Sequence, residues 1–407
     1  MFNESWLILA VFISVIGFVL RVDGMMTVAA LLLTVVPIAW LWNRLAKRRI
    51  EYSRSLSERR AFVGETVELS LSVTNRKLLP VPWLRIEDEV SSRLTVEGGA
   101  VESTADPTTN HLASILSLRW YERVTWRYRV RCDRRGYYPI GPVHMQSGDL
   151  FGLFSDKRAF PQVDWLIVYP SMQPITSMIL PAKEPLGNSK ADQRLFEDPV
   201  RTIGIRDYHP QDALKRIDWK ATARRQQLQV RVYEPTTSHQ LVVFPNISTL
   251  PHYYQGVVPS LLERIISVAA SVASYAVEQR YQVGIVTNGC WPLSDQPLKV
   301  LPSRDPAQMV HILEALAAIG SIPTCEMVDL LLSESPGLPW GATLVVISAV
   351  LSEELLAALV RLHTAGRRVV LVTLDETQPS EMVPGVLTYR VPQEGAMHFE
   401  FVGDESP

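Results

Sequence analysis

The chain has 407 residues, 47% of them apolar and 20% charged, and its 40 Lys and Arg nearly balance 42 Asp and Glu for a formal net charge of −2. That length exceeds one ordinary domain and leaves room for two or three. Cys132, Cys290 and Cys325 lie far apart and form no Cys-x-x-Cys pair, which argues against a zinc ribbon and a secreted disulfide scaffold and fits a reducing compartment. No His-Glu-x-x-His, phosphate-binding Gly-x-x-x-x-Gly-Lys-Ser/Thr or dinucleotide Gly-x-Gly-x-x-Gly run occurs, so no ATP hydrolysis by the chain itself and no cofactor are expected.

Residues Trp6 to Leu20 are nearly all apolar, and Met25 to Trp42 repeat the pattern after the break Arg21-Val22-Asp23-Gly24. Each run approaches the roughly 20 residues needed to cross a bilayer, and so short a break permits only a tight hairpin, which predicts a two-helix transmembrane anchor over 1–43. Trp6, Trp40 and Trp42 sit where an aromatic belt would place them. Arg44, Lys47, Arg48, Arg49 and Arg54 follow, opposed only by Glu51, so 44–60 reads as a basic juxtamembrane linker. The positive-inside rule then puts everything after residue 43 in the cytoplasm, at the inner membrane. A cleaved signal peptide fits less well, because no Lys or Arg precedes Trp6. Basic clusters at 44–60, Arg119 to Arg135 and Lys215 to Arg231 can lean on anionic lipid, and no aromatic-interleaved nucleic-acid module is present.

Over 61–165 the chain reads as short strands. Val67, Leu69, Leu71 and Val73 fall on one face, and Trp83 to Val90, His111 to Trp120 and Val124 to Cys132 have strand composition with turn residues between them. A small β-sandwich is expected. Gly136 and Gly141-Pro142 are turn chemistry, and Gly148-Asp149-Leu150-Phe151-Gly152-Leu153-Phe154 reads as a tight corner pinned by buried aromatics.

The segment 190–235 crowds charge, aromatics and a helix-to-strand switch together. Pro210 bars helix upstream, Asp212 can cap one, and Leu214, Ile217 and Ala221 form an apolar stripe, with Asp212 and Arg216 an i,i+4 pair on its flank. Leu228, Val230 and Val232 then alternate with polar residues as a half-buried strand does. Asp212, Arg216, Asp218, Trp219, Lys220, Arg224, Tyr233 and Glu234 are the candidates for a surface that grips a partner, or for cross-braces between domains with Trp219 as a buried anchor.

After Pro235 strands and helices alternate. Leu241 to Phe244, Tyr281 to Thr287, Leu344 to Ile347 and Val369 to Leu374 read as strands. A long apolar face from Leu262 to Ala276 behind Pro259, a helix from Asp305-Pro306 toward Ile319, and Ser352 to Ala365 closed by Gly366 read as helices. Over 236–376 this predicts an open, mainly parallel α/β sheet, with 377–407 as a largely acidic tail.

Asp218-Trp219-Lys220-Ala221-Thr222-Ala223-Arg224 followed by Arg231-Val232-Tyr233-Glu234 resembles the signature of the bacterial membrane proteins known as domain of unknown function 58. The runs Arg134 to Pro142 and Gly148 to Phe154 look like the sequence the same family places ahead of it. One departure is Gln211, which stands in Tyr208-His209-Pro210-Gln211-Asp212 where the family has glycine. The resemblance implies that the α/β part is a von Willebrand factor A-like domain, many of which hold a divalent cation on an Asp-x-Ser-x-Ser turn and a distant Asp. Here that turn looks like Asn246-Ile247-Ser248-Thr249-Leu250, and Ser348 stands where the second Asp belongs. Without carboxylates a hard cation has little to hold it, so a weak or absent metal site is expected at Asn246, Ser248 and Ser348.

Family members are often encoded beside MoxR-type AAA+ ATPases. The resemblance therefore implies a membrane-anchored adaptor that works with such an ATPase in assembly or maturation of cell-envelope proteins. Two alternatives stand beside it: a membrane-associated hydrolase using His209, Asp212 and Asp218, and a purely structural membrane protein.

Overall fold

In the computed structural model, residues 5–20, 23–46, 48–175, 178, 196–209, 217–236, 240–292, 294, 296–339, 341–374, 383–393 and 395–402 are described. The protein is a mixed α/β chain of two compact units, Met1–Ser171 with Leu316–Ala318, and Met172–Ala315 with Ile319–Pro407.

The first unit begins with the apolar helices α1 (Ser5–Leu20) and α2 (Asp23–Ala46), which lie against each other. The stretch Met26–Ala46 is long and apolar enough to cross a membrane. Its buried residues Val36, Ala39, Asn43 and Ala46 recur every three or four positions, so one stripe packs inward while Ile38, Trp40 and Leu41 on other faces stay exposed.

Strands follow as β1 (Ile50–Leu56), β2 (Arg60–Phe62), β3 (Thr66–Asn75), β4 (Val81–Ser91), β5 (Thr95–Glu97), β6 (Ala100–Ser103), β7 (Thr109–Leu118), β8 (Arg123–Arg131), β9 (Gly136–Gly148), β10 (Ser155–Phe160) and β11 (Asp164–Tyr169). One sheet runs β1-β3-β8-β5, the other β2-β11-β9-β4-β7-β6 with β10 on β9. The alternation of β3 places Val67, Leu69, Leu71 and Val73 inward, where the first three join Tyr128 and Val130 of β8 and, from the facing sheet, Leu112, Ile140, Leu166 and Val168 in a shared core.

The stretch 44–60 is not a linker. Helix α2 runs to Ala46, and β1 puts Arg54 into the interior, its guanidinium fully buried. Arg54 Nη1 lies 2.7 Å from Asp88 Oδ1, Nε 2.8 Å from Asp164 Oδ2, and Nη2 donates to the Gln162 carbonyl at 2.9 Å. Tyr52 Oη donates to Asp88 Oδ2 at 2.5 Å. Arg54 is thus held by carboxylates and cannot serve as a lipid-facing cation. This network also accounts for Gly141, since a Cβ there would stand 2.3 Å from the same Gln162 carbonyl and 2.9 Å from the guanidinium.

The second unit contains β12 (Phe196–Asp207), α3 (Trp219–Arg225), β13 (Gln229–Thr236), β14 (Gln240–Pro245), α4 (Pro259–Glu278), β15 (Gln282–Cys290), β16 (Pro297–Ser303), α5 (Gln308–Ala318), α6 (Met327–Glu334), β17 (Thr343–Ser348), α7 (Glu353–Thr364), β18 (Arg368–Thr373), β19 (Leu387–Arg390) and β20 (Glu400–Phe401). Strands β12 and β13 form an antiparallel ribbon. The large sheet runs β16-β15-β14-β17-β18-β19-β20, parallel from β15 to β19 and closed by antiparallel edges.

Its central strand β17 is buried at every position, which requires cover on both faces. Val242, Phe244, Leu344 and Val346 meet α6 and α7 through Leu330, Leu331, Leu355 and Leu359, while α4 brings Leu262, Ile265, Ile266, Ala269, Val272 and Ala276 inward. Apolar enough to span a bilayer by composition, α4 is instead the core helix of this unit. Pro259 opens it and Ser352 caps α7 by accepting from Leu355 N at 3.2 Å, as the sequence predicts. The tail expectation for 377–407 is corrected, because β19 and β20 extend the sheet and Tyr389 is buried in it.

Candidate functional site

The motif helix is shorter than its apolar stripe predicts. Ile217 is extended and bridges Val230, and α3 begins only at Trp219. A strand partner claimed Ile217 because pairing satisfies its backbone while burying its side chain against the ribbon, which a helical turn there would leave undone.

Asp218 organises this corner. Its Oδ1 accepts from Lys220 N and Ala221 N, both at 3.0 Å, capping two otherwise unpaired N–H groups, and Oδ2 accepts from Arg231 Nε at 2.9 Å. On the next strand, Gln229 N donates to Thr222 Oγ1 at 3.0 Å and Gln229 Nε2 to Asp207 Oδ1 at 2.6 Å. One short helix is thereby strapped across β12 and β13. The family-like spacing from Asp218 to Arg231 is the length of chain needed to run α3 and return beneath its first turn.

The Ala221 N–H first, then the Arg231 guanidinium, hold the Asp218 carboxyl below the ordinary carboxylate range. A depressed folded-state pKa contributes stability that is complete above the unfolded value, about 3.9, and fades as pH falls through the folded one. Amide exchange at Thr222 and Gln226 is therefore expected to show an unchanging Asp218 contribution across neutral and mildly acidic pH. Asp218→Asn, which keeps an acceptor for the cap but drops the charge facing Arg231, is expected to loosen these amides less than Asp218→Ala.

The remaining candidates divide. Trp219 is no buried anchor; it is 69% exposed, and Lys220 and Arg224 are exposed with it. Asp212 and Arg216 lie outside the described residues, as do the side chains of Tyr233 and Glu234 on β13. His209 is exposed. For the hydrolase alternative this is unfavourable chemistry: both Asp218 oxygens are engaged and its proton affinity is held down, the opposite of what a general base requires.

A second constellation forms at the carboxyl ends of β14, β15 and β17. Asn246 Nδ2 donates to Ser348 Oγ at 3.0 Å, and Asn246 Oδ1 accepts from Ser248 N at 3.1 Å. At the centre, and unforeseen in the sequence, is Asn288. Its Nδ2 lies 3.0 Å from Asn246 Oδ1, 3.1 Å from Ser248 Oγ and 3.2 Å from the Cys325 carbonyl, while its Oδ1 accepts from Ile247 N at 2.9 Å. The only signal for it is the polar Thr287-Asn288-Gly289 ending an apolar strand.

An amide NH₂ here supplies to the oxygens of Asn246 and Ser248 what a cation would. The donor set is neutral and its oxygens already have partners, so it does not fit a resident divalent ion. Among the described residues no group of three or more His, Cys, Asp or Glu is placed to hold a metal.

These features define a class: apolar helices, a two-sheet β unit, and an open α/β unit preceded by a braced helix-strand motif. Residues 204–397 match the model of the family described as protein of unknown function DUF58, which this part of the chain resembles. The uncharacterized protein YeaD of Bacillus subtilis (strain 168) is 25% identical over 248 residues, covering 60% of this chain and 56% of that relative, so the match spans little more than half its length.

Among solved structures, a cohesin module from a Clostridium perfringens family 33 glycoside hydrolase is 8% identical over 29% of this chain and 96% of its own, with a TM-score of 0.21. A β-glucosidase from Listeria innocua is 12% identical over 30% of this chain and 16% of its own, at 0.18. The sporulation control protein Spo0M from Bacillus subtilis is 11% identical over 29% and 49%, at 0.17. Likenesses this slight carry no argument about function.

Proposed function

We propose that this protein is a membrane-anchored adaptor that engages a MoxR-type AAA+ ATPase at the cytoplasmic face of the inner membrane and serves assembly or maturation of cell-envelope proteins. In this reading α1 and α2 form a transmembrane hairpin that anchors the chain. The second unit is a von Willebrand factor A-like domain that offers a contact surface without using a metal. The observation that carries it is the presentation of α3: Asp218 and Arg231 fix the helix while Trp219 and the cations Lys220 and Arg224 face outward. A large exposed aromatic beside cations is the composition of an interface hot spot.

Affinity capture of the full-length protein from its native cells, in detergent and with or without an ATP analogue, tests this. Nucleotide-dependent recovery of an AAA+ ATPase is expected, falling roughly tenfold for Trp219→Ala with Lys220→Glu while thermal unfolding stays unchanged. Consistent absence of any such ATPase sinks the adaptor reading.

A further inference from the structure

The first unit carries a second exposed feature that the adaptor reading leaves unused. Strand registers place several chain reversals at one end of it. Ile50 pairs with Asn75, Thr74 with Arg123, Val81 with Leu118 and Leu84 with Ser147. The tips 76–80, 119–122 and 149–154 and the entry from α2 therefore lie together. Backbone bonds tie them, Arg76 N to the Arg49 carbonyl at 2.9 Å and Tyr121 N to the Lys77 carbonyl at 3.3 Å.

At this end the apolar residues point the wrong way for a water-facing loop. Asp149 is buried, and its carboxylate accepts from Phe151 N at 2.8 Å and Phe154 N at 2.6 Å, folding the chain into a corner. That corner turns Phe154 inward, against Val36 and Ala39 of α2, and turns Leu150 and Phe151 out, 61% and 59% exposed. Leu78, Trp120 and Tyr121 are exposed on the neighbouring tips. Tyr121 has φ 51, a left-handed conformation that disfavours a bulky side chain, so an aromatic is held outward there against backbone preference. Arg48, Arg49, Arg76, Arg119 and Arg123 surround these side chains, opposed by Glu51, paired with Arg76, and Glu122, bonded to Arg119 N.

We propose that this end of the first unit is a bilayer-seating surface, in which Leu150, Phe151, Trp120, Tyr121 and Leu78 enter the lipid interface beside α2 and the surrounding arginines meet anionic phosphates. Amphipathic aromatics prefer that depth, and cations close to an anionic leaflet are attracted to it. The contact of Phe154 with α2 makes the corner continuous with the apolar helix surface, so lipid that surrounds α2 also reaches Leu150 and Phe151. The inference rests on the membrane-anchor part of the proposed function.

The test reconstitutes full-length protein in phosphatidylcholine–phosphatidylglycerol vesicles, with an NBD fluorophore on single cysteines introduced as Phe151→Cys, Trp120→Cys, Leu31→Cys or Arg93→Cys. The background carries Cys290→Ser and Cys325→Ser, with the buried Cys132 left in place. Leu31 is exposed on α2, and Arg93 is exposed just past the Ser91–Thr109 pair, at the end of β4 away from the Val81–Leu118 pair. Blue-shifted emission and quenching by nitroxide-bearing lipid are expected at 151 and 120, several-fold above the Arg93 site and approaching the Leu31 site. Quenching at 31 with none at 151 and 120 overturns the seating surface and leaves the anchor standing. A blue shift at 151 without lipid quenching assigns the corner to a protein contact and also overturns it. Absence of quenching at 31 means the anchor itself fails, and the seating surface with it.

Discussion

Arg54→Met is expected to destabilise the first unit by about 3–5 kcal/mol, the usual cost of removing one partner from a buried ion pair. Arg54 Nη1 is 2.7 Å from Asp88 Oδ1 with both side chains fully buried, and Nε also holds Asp164 at 2.8 Å. Without the guanidinium, Asp88 is left as a buried charge whose remaining donor is Tyr52. Burial already pushes the Asp88 carboxyl up to about 6 against the downward pull of Arg54, and burial together with Asp88 keeps the Tyr52 hydroxyl protonated.

The sign of the pH dependence follows. A carboxyl whose folded pKa lies above its unfolded value contributes stability that is present below the unfolded pKa, about 3.9, and is lost as pH rises through about 6. Removing Arg54 raises the folded value further, so the deficit of Arg54→Met is largest at neutral pH and shrinks as pH falls toward 4. Hydrogen exchange of β3 and β9 amides is the appropriate readout, since a chain of two units has no single unfolding free energy. Arg59→Met provides the contrast: Arg59 is 79% exposed and 4.0 Å from Asp164, and its loss is expected to cost under about 1 kcal/mol.

Asn288→Ala is expected to destabilise the second unit by on the order of 3 kcal/mol, since it strips partners from Ile247 N, Asn246 Oδ1 and Ser248 Oγ in a site closed to water, and a buried unsatisfied polar group costs about 1–3 kcal/mol. Faster exchange at the carboxyl ends of β14 and β15 would register the loss. Asn288→Asp inverts the electrostatics, since a carboxylate keeps the bond from Ile247 N but faces the Asn246 and Ser248 oxygens with no proton to offer. A divalent cation can then repair the site, so thermal stability of Asn288→Asp is expected to rise with Mg²⁺ while that of the native chain does not respond. A native chain stabilised by Mg²⁺ and destabilised by a chelator would contradict the neutral-cluster account.

Local periodicity determined much of the architecture. Val67, Leu69, Leu71 and Val73 alternate because one face of β3 is buried, and the stripe from Leu262 to Ala276 recurs at helical spacing because one face of α4 is. The order of the sequence, strands first and then alternating strands and helices, likewise set two sheets apart from one open sheet. The motif around Asp218 was legible as a helix feeding a strand and as a family mark, but the sequence offered Asp212 as the cap, whereas Asp218 caps α3 and accepts from Arg231.

Only the tertiary structure decided which polar residues are buried and what satisfies them. Arg54 read as one more juxtamembrane cation, because its carboxylates stand 34 and 110 residues away and leave no trace in neighbouring sequence. Asn288 showed only as a polar strand end for the same reason, its side-chain partners lying 42 and 40 residues upstream. Ile217 fitted a helical stripe until Val230 offered a strand partner, and Leu387 to Arg390 gave too short a run to betray the strand that pairs with β18. Apolar spacing records which face of an element leaves water, a property of each element alone. The pairing of a buried charge or amide depends on which distant group arrives beside it, and that is decided only when the chain has closed.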